Sequence, residues 1–225
     1  NVEIPHAVRD ALQDAMELAI KNAPRVAGKV YVCPDVSGSM HSPVTGHRTG
    51  ATTAVRCLDV AALVAATVLR KNPDAEFMPF KEQVVSIRLN ARDTVMTNAQ
   101  KIAKVSPGGT NCSAPLRELN RRRAKGDLIV FVSDNESWID SPNYGWCGGS
   151  RTQTMDEWSK FKHRNPRARM VCIDIQPHGT IQACEREDIV NVGGFSDQVF
   201  RLLADVASGR HAPDHWVREI ESVRL

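Results

Sequence analysis

The feature that most constrains the fold is a regular alternation of short apolar runs with segments of helical periodicity. The runs at 29–33, 127–133 and 168–175 are apolar through their middle. Such runs indicate strands that are buried on both faces, as the central strands of parallel sheets are. Segments between them carry apolar residues at three- and four-residue steps, which indicates helices. The sequence therefore predicts an α/β fold, with a Rossmann-like, doubly wound, mostly parallel sheet and helices on both faces.

The remaining segments complete this alternation. Apolar residues cover the segment 55–70 nearly all round, so we expect it to be a buried helix. Two polar stretches, 41–52 and 138–151, contain several glycines and are predicted loops. Further helices are predicted at 5–21, 94–104, 113–123, 155–163, 196–207 and 213–223, and further strands at 76–80, 84–89 and 188–192. We expect a single domain over 1–225, with 1–22 and 211–225 as flanking helical segments.

Composition narrows the class of protein. The chain has 225 residues, 42% of them hydrophobic, which suits one sizeable α/β domain, and a net charge of +3 does not by itself indicate a nucleic-acid binder. No apolar run approaches the roughly 20 residues that span a bilayer. The chain lacks an initiator Met and a secretion-signal pattern, so we expect a domain of a longer protein.

The six cysteines show no Cys-x-x-Cys spacing, which argues against a zinc ribbon or a thioredoxin motif. Cys33 and Cys172 lie within apolar runs and are predicted to be buried free thiols. We therefore expect a reducing, cytoplasmic location. We also expect no membrane partner.

Polar residues follow the predicted strands where ligands collect in a doubly wound sheet, beyond the carboxyl ends of the strands. Asp35, Ser37 and Ser39 follow the first strand, Thr110 precedes a helix, and Asp134 ends the central strand. The set offers two carboxylates and three hydroxyls, with no thiol or imidazole. Hard cations choose oxygen ligands, so we expect Mg²⁺, with Mn²⁺ or Ca²⁺ as alternatives, and not zinc.

The order Asp35-x-Ser37-x-Ser39, Thr110, Asp134 resembles the metal-ion-dependent adhesion site (MIDAS) of von Willebrand factor A (vWA) domains. The resemblance implies that the two serines and Thr110 contact the metal, while the two aspartates act through water. It also implies that an acidic side chain of a partner protein takes the ion's remaining position. The function implied is a metal-dependent recognition module and not an enzyme.

A second, narrower resemblance is carried by five segments that are spread over nearly the whole chain. They are Pro5-His-Ala-Val-Arg-Asp-Ala-Leu12, Asp35-Val-Ser-Gly-Ser-Met40, Pro107-Gly-Gly-Thr-Asn-Cys-Ser113, Val130-Phe-Val-Ser-Asp-Asn-Glu-Ser137 and Ile189-Val-Asn-Val-Gly-Gly-Phe195. These segments resemble the C-terminal half of Ro autoantigen (TROVE) proteins, which are ring-shaped RNA-binding proteins of noncoding Y RNA ribonucleoproteins. Their RNA ring is a helical-repeat domain that this chain lacks, so RNA binding is implied for the parent protein.

Two other functions stay open on the residues alone. The first is a Mg²⁺-dependent phosphoryl-transfer hydrolase that uses Asp35. Haloacid-dehalogenase-like phosphatases also have an Asp after the first strand, but they need a second Asp where this chain has Ser37. The second is direct RNA binding through the basic runs at 121–125 and 160–164 with Arg167 and Arg169. Basic runs at helix ends are more often solvated faces that suit the helix dipole.

Several residues near the predicted site have both a structural and a functional interpretation. For the histidines we favour ordinary loop roles, for Glu136 a solvated carboxylate and for Asp174 a structural hydrogen bond. The loop aromatics either pack on their own domain or form a recognition surface. The histidines are His41 and His47, and the aromatics are Trp138, Tyr144 and Trp146.

Overall fold

The computed structural model describes residues 5–46, 53–134, 152–177, 183–184, 186–210 and 221. The predictions for His47, Glu136, the loop aromatics and the helix at 213–223 fall outside these ranges, apart from the single helical residue Glu221. The strands are β1 Val30–Pro34, β2 Glu76–Phe77, β3 Leu128–Ser133, β4 Arg169–Asp174 and β5 Ile189–Gly193. The helices are α1 His6–Ile20, α2 Cys57–Lys71, α3 Val95–Ile102, α4 Ala114–Arg121, α5 Gln153–Arg164 and α6 Gln198–Ala207, with a 3₁₀ turn at Ser39–His41.

The described strands form one parallel sheet in the order β2-β1-β3-β4-β5. The strand order reverses between β1 and β3, where the connections leave toward opposite sides of the sheet. Such a switch point opens a crevice at the carboxyl ends of the two strands. The predicted doubly wound α/β fold is confirmed.

Alternate strand residues pack into two different hydrophobic cores. Val30 and Val32 of β1 face one core, while Tyr31 and Cys33 face the other. Helices α2, α3 and α6 cover the first core, and α4 and α5 cover the second. The predicted burial of the helix at 55–70 is confirmed, because most residues of α2 are buried. Helices therefore lie on both faces of the sheet, as expected.

The thiols confirm one local prediction, and the cap of α3 is a further local feature. Cys33 and Cys172 are free and buried, and burial raises the pKa of both thiols. The hydroxyl of Thr94 accepts a hydrogen bond from the Thr97 amide and caps α3. Within the described ranges no helix is long and apolar enough to cross a membrane.

The prediction of strands at 76–80 and 84–89 was wrong in extent. Strand β2 covers two residues, and among the described residues the segment 84–89 contributes one bridge, between Phe80 and Val84. The Val85 amide donates to the Pro79 carbonyl, at 2.7 Å, which turns the chain out of register with β2. Alternating burial can predict an extended segment, but a strand also needs a partner backbone in register.

Candidate metal centre

Asp35 lies at the carboxyl end of β1, directly beside β3. Its amide donates to the Val132 carbonyl at 2.8 Å, which extends the ladder past the last residue of the strand. Its side chain is fully buried. One carboxylate oxygen accepts from the Ser37 amide and the other from the Ser133 hydroxyl, each at 2.8 Å. These bonds fix the carboxylate in one orientation at the switch point.

Asp134 brings a second carboxylate to the same crevice. It follows β3 directly and is 3% exposed. Burial raises the pKa of Asp35 to about 7, the bonds from Ser37 and Ser133 oppose that shift, and the charge of Asp134 adds to it. Two buried carboxylates that repel each other are costly unless a proton or a cation neutralises them.

The Asp35–Ser39 loop brings two hydroxyl groups together. Ser37 is fully buried, Ser39 is partly buried, and their Oγ atoms are 3.2 Å apart. The Gly38 amide donates to the Gly108 carbonyl at 2.8 Å, which joins this loop to the one that carries Thr110. A Cβ at residue 38 would lie 3.4 Å from that carbonyl oxygen, an ordinary van der Waals distance, so this contact does not by itself require glycine.

Thr110 is 2% exposed and lies two residues beyond that contact. The next residue, Asn111, holds the segment in place, because its amide donates to the Lys81 carbonyl at 2.9 Å. The Asn111 side-chain oxygen accepts from the Ser113 amide at 3.1 Å and from the Ser113 hydroxyl at 2.7 Å. Ser113 occupies the N-cap position of α4, but its side chain makes no cap bond.

A carboxylate from the neighbouring turn supports the same loop. The Glu82 carboxylate accepts a hydrogen bond from the Gly109 amide, which lowers the pKa of this exposed acid. Sequence reasoning did not single out Glu82 or Asn111. The turn chemistry of an Asn three residues before a helix was the available signal for Asn111. For Glu82 the sequence offered no signal.

Two further residues at this edge were not assigned to the site from the sequence. Ser133 donates to Asp35 from the last position of β3, where a hydroxyl interrupts an apolar run. Asp174 pairs in register with Ser133 at the end of β4. Burial raises the pKa of Cys57 to about 11, and the charges of Asp134 and Asp174 contribute to that shift. Asp174 therefore borders the site.

His41 has a structural contact beside the site. Its Nδ1 lies 3.1 Å from Nη1 of Arg56, and because a guanidinium only donates, the imidazole accepts at this atom. Arg56 also forms an ion pair with Asp59 at 2.7 Å. This arrangement agrees with the structural role expected for a loop histidine.

The described residues contain no cluster of three or more His, Cys, Asp or Glu side chains arranged to hold a metal ion. A divalent ion held at this edge would therefore depend on hydroxyl ligands as well as carboxylates. The donor set fits Mg²⁺, because it is all oxygen and contains a buried carboxylate pair whose repulsion a cation relieves.

Comparisons with known proteins agree with this geometry. The family model for the Ro60 vWA domain matches residues 29–207. The RNA-binding protein RO60 of Deinococcus radiodurans is 29% identical over 206 residues, which are 92% of this chain and 36% of that protein. The crystal structure of the D. radiodurans RO (RSR) protein matches with a TM-score of 0.70 at 25% identity, over 91% of this chain and 39% of that chain.

This chain therefore spans little more than a third of those two relatives. The family match, over residues 29–207, includes every described strand of the sheet and all three loops that carry the predicted metal-site residues. The fold, the switch-point site and the matched range lead to one conclusion: the chain belongs to the Ro60 vWA domain family.

Proposed function

We propose that this domain binds a divalent cation and uses it to bind a carboxylate of a partner protein. Ser37, Ser39 and Thr110 would contact the ion through their hydroxyls, and Asp35 and Asp134 would neutralise its charge. The proposed ion is Mg²⁺, with Mn²⁺ and Ca²⁺ as alternatives that share its preference for oxygen ligands.

The observation that carries this proposal is the pair of buried carboxylates at the switch point. Asp35 is fully buried and Asp134 nearly so, and each raises the cost of ionising the other. A pair of this kind is unfavourable in an apolar core and favourable beside a cation. The two serine hydroxyls lie at the mouth of the same crevice, 3.2 Å apart.

The choice of neutral hydroxyls explains why such an ion would attract a partner. Hydroxyls donate less negative charge than carboxylates, so the bound ion keeps much of its positive charge. It would then favour an external carboxylate in the position the protein leaves open. This chemistry supports a binding role, as does the name of the D. radiodurans relative, an RNA-binding protein.

The wider role follows from the family. We propose that the parent protein is a Ro-type RNA-binding protein of a noncoding Y RNA ribonucleoprotein, with the RNA bound chiefly outside this domain. We also propose a cytoplasmic location, which the free thiols among the described residues support.

The test is a calorimetric titration of Mg²⁺ into the chain and two threonine variants. Thr110→Ala should weaken Mg²⁺ binding by about 100-fold, the scale of losing a well-positioned group at a metal site. Thr67→Ala is the matched control, because Thr67 is equally buried, at 2%, but lies in α2. Equal Mg²⁺ affinity in the folded Thr110→Ala variant and the wild type would overturn the proposal.

A further inference from the structure

We infer that the opposite edge of the sheet, at the amino ends of β3 and β4, carries an RNA-binding surface that contacts the phosphodiester backbone. This surface, termed the basic edge, consists of Arg123, Lys125, Arg164 and Arg167. It goes beyond the proposed metal function, because it lies at the other end of the strands. Strand β3 has six residues, so about 20 Å separates the two edges.

The fold joins two basic runs that are far apart in sequence. Asn165 is 8% exposed, and its side chain joins the turn after α4 to the turn after α5. Its oxygen accepts from the Gly126 amide at 3.3 Å, and its nitrogen donates to the Ala124 carbonyl at 3.3 Å. The Arg164 guanidinium also contacts the side-chain oxygen of Asn120 on α4. The runs therefore form one surface.

The cations of this surface are available to a ligand. Arg121 pairs with Glu118 at 2.7 Å, and Arg122 pairs with Glu76 at 2.6 Å, so intramolecular carboxylates neutralise those two. In contrast to Arg121 and Arg122, no member of the basic edge forms an ion pair with a carboxylate among the described residues. All four are exposed: Arg123, Lys125, Arg164 and Arg167.

Arg123 occupies a backbone conformation that favours glycine. Its φ is 51°, in the left-handed region. The Arg123 amide bonds to the Asn120 carbonyl at 3.0 Å and the Ala124 amide to the Leu119 carbonyl at 2.9 Å, the Schellman pattern that usually has glycine at this position. Glycine would adopt this backbone conformation with less strain than arginine. The presence of arginine therefore indicates that its charged side chain has a function.

Two carboxylates near the basic edge, those of Asp127 and Asp188, already have hydrogen-bond partners. Asp127 accepts the Lys29 amide at 2.8 Å. Asp188 accepts from the Trp158 indole at 3.0 Å and from Arg186 at 2.9 Å. Because Asp188 is paired with Arg186 and lies 3.6 Å from Lys162, it offsets little of the charge on the basic edge.

The chemistry of the surface favours a polyanion over a membrane or a protein. The exposed large apolar side chains of the described residues lie elsewhere: Val8, Leu12, Leu18, Val55, Leu63, Met96 and Phe195. The basic edge therefore lacks the apolar anchors that membrane-binding surfaces and the hot spots of protein interfaces require. Spaced cations without apolar neighbours suit phosphates. The choice of RNA as the polyanion rests on the proposed role in a Ro-type protein.

The test is fluorescence anisotropy with a labelled single-stranded RNA of about 20 nucleotides, titrated at roughly 50 to 200 mM NaCl. The surface variant is Arg123→Gly/Lys125→Gln/Arg167→Gln. The control variant, Arg88→Gln/Arg92→Gln/Lys104→Gln, removes equal charge from exposed cations around α3 that also lack an ion pair among the described residues.

The surface variant should bind RNA at least about 10-fold more weakly, and its slope of log affinity against log salt should be shallower by about 2, near 0.7 for each lost phosphate contact. The control should stay within about 2-fold of wild type. Equal losses in both variants, undiminished binding by the surface variant, or binding to phosphatidylserine vesicles but not to RNA would overturn the inference.

Two further arms separate this inference from the metal proposal. The Arg123→Gly variant folds in the conformation that glycine prefers, so its RNA affinity reports the side chain and not a folding defect. RNA affinity should not change in EDTA or in the Thr110→Ala variant. An RNA affinity that depends on the metal would overturn the assignment to this edge, whatever the Mg²⁺ titration shows.

Discussion

The two edges of the sheet present opposite chemistry, although the same strands build both. At the carboxyl edge, Asp35 and Asp134 are buried beside fixed hydroxyls. At the amino edge, exposed arginines and lysines follow the C-termini of α4 and α5, where the helix dipole favours cations. One edge thus buries negative charge that a cation would stabilise, and the other exposes positive charge in water.

The difference shows how strand direction distributes charged side chains in this domain. In a parallel sheet each strand ends at the carboxyl edge, and the helix that follows returns the chain to the amino edge. Residues after strands therefore share one edge and residues after helices share the other. Each edge also depends on one buried asparagine, Asn111 at the carboxyl edge and Asn165 at the amino edge.

The largest predicted effect is a pH dependence that arises from the carboxyl edge alone. In the metal-free protein the pKa of Asp35 rises from 3.8 to about 7, so the folded state binds this proton more tightly than the unfolded state. Its contribution to stability is complete below about pH 4 and is lost as the pH rises through about 7. The shift corresponds to a loss on the order of 4 kcal/mol, measurable by urea unfolding between pH 4 and 8.

The Asp35→Asn variant isolates this effect from any other pH dependence of the fold. Its amide accepts from Ser37 and donates to Ser133, so the fold is kept without the charge. We expect the variant to lose less stability than the wild type over the same pH range, and to show no stabilisation by Mg²⁺ at pH 8. Parallel pH profiles for the two proteins would contradict the buried-pair interpretation.

The second prediction uses the two asparagines to separate the edges. Asn165→Ala should lower the free energy of unfolding by about 3 kcal/mol, because it removes the acceptor of the Gly126 amide and the side-chain donor to the Ala124 carbonyl. Asn111→Ala should cost about 2 kcal/mol, because it removes the acceptor of the Ser113 amide and hydroxyl. Chemical denaturation measures both values.

Binding measurements on the same variants sharpen this separation. Asn165→Ala should weaken RNA binding several-fold and leave Mg²⁺ affinity unchanged. Asn111→Ala should do the reverse, because it loosens the segment that carries Thr110. If either variant impaired both ligands equally, the two edges would be coupled and the account of independent edges would be wrong.

The smallest predicted effect is a gain in stability. Arg123→Gly should raise the free energy of unfolding by about 1 kcal/mol, because glycine adopts a φ of 51° without the penalty of a side chain. Thermal unfolding at matched salt measures it, with Arg92→Gly, at an exposed residue outside the helices with no positive φ, as the control. A loss of stability in Arg123→Gly would show that the side chain is structural.

The sequence was sufficient to predict the parallel sheet and the polar segments that lie at its carboxyl edge. Apolar runs such as that of β3 predict buried strands, and strand direction then predicts which polar residues share an edge. The contact of Gly38 with Gly108 and the joining of two turns by Asn165 could not be predicted, because they depend on how segments pack in three dimensions. For the same reason the segment 84–89 was wrongly predicted to be a strand.

The central claim is that three separate loops surround one divalent cation at the carboxyl edge. Its most direct test is a crystal of the chain soaked in Mn²⁺, because the anomalous signal of Mn²⁺ locates the ion independently of any prior coordinates. The account predicts one strong peak within coordination distance of the hydroxyls of Ser37, Ser39 and Thr110, lost in the Thr110→Ala variant. A peak located elsewhere, or no peak at a concentration that saturates binding in solution, would contradict it.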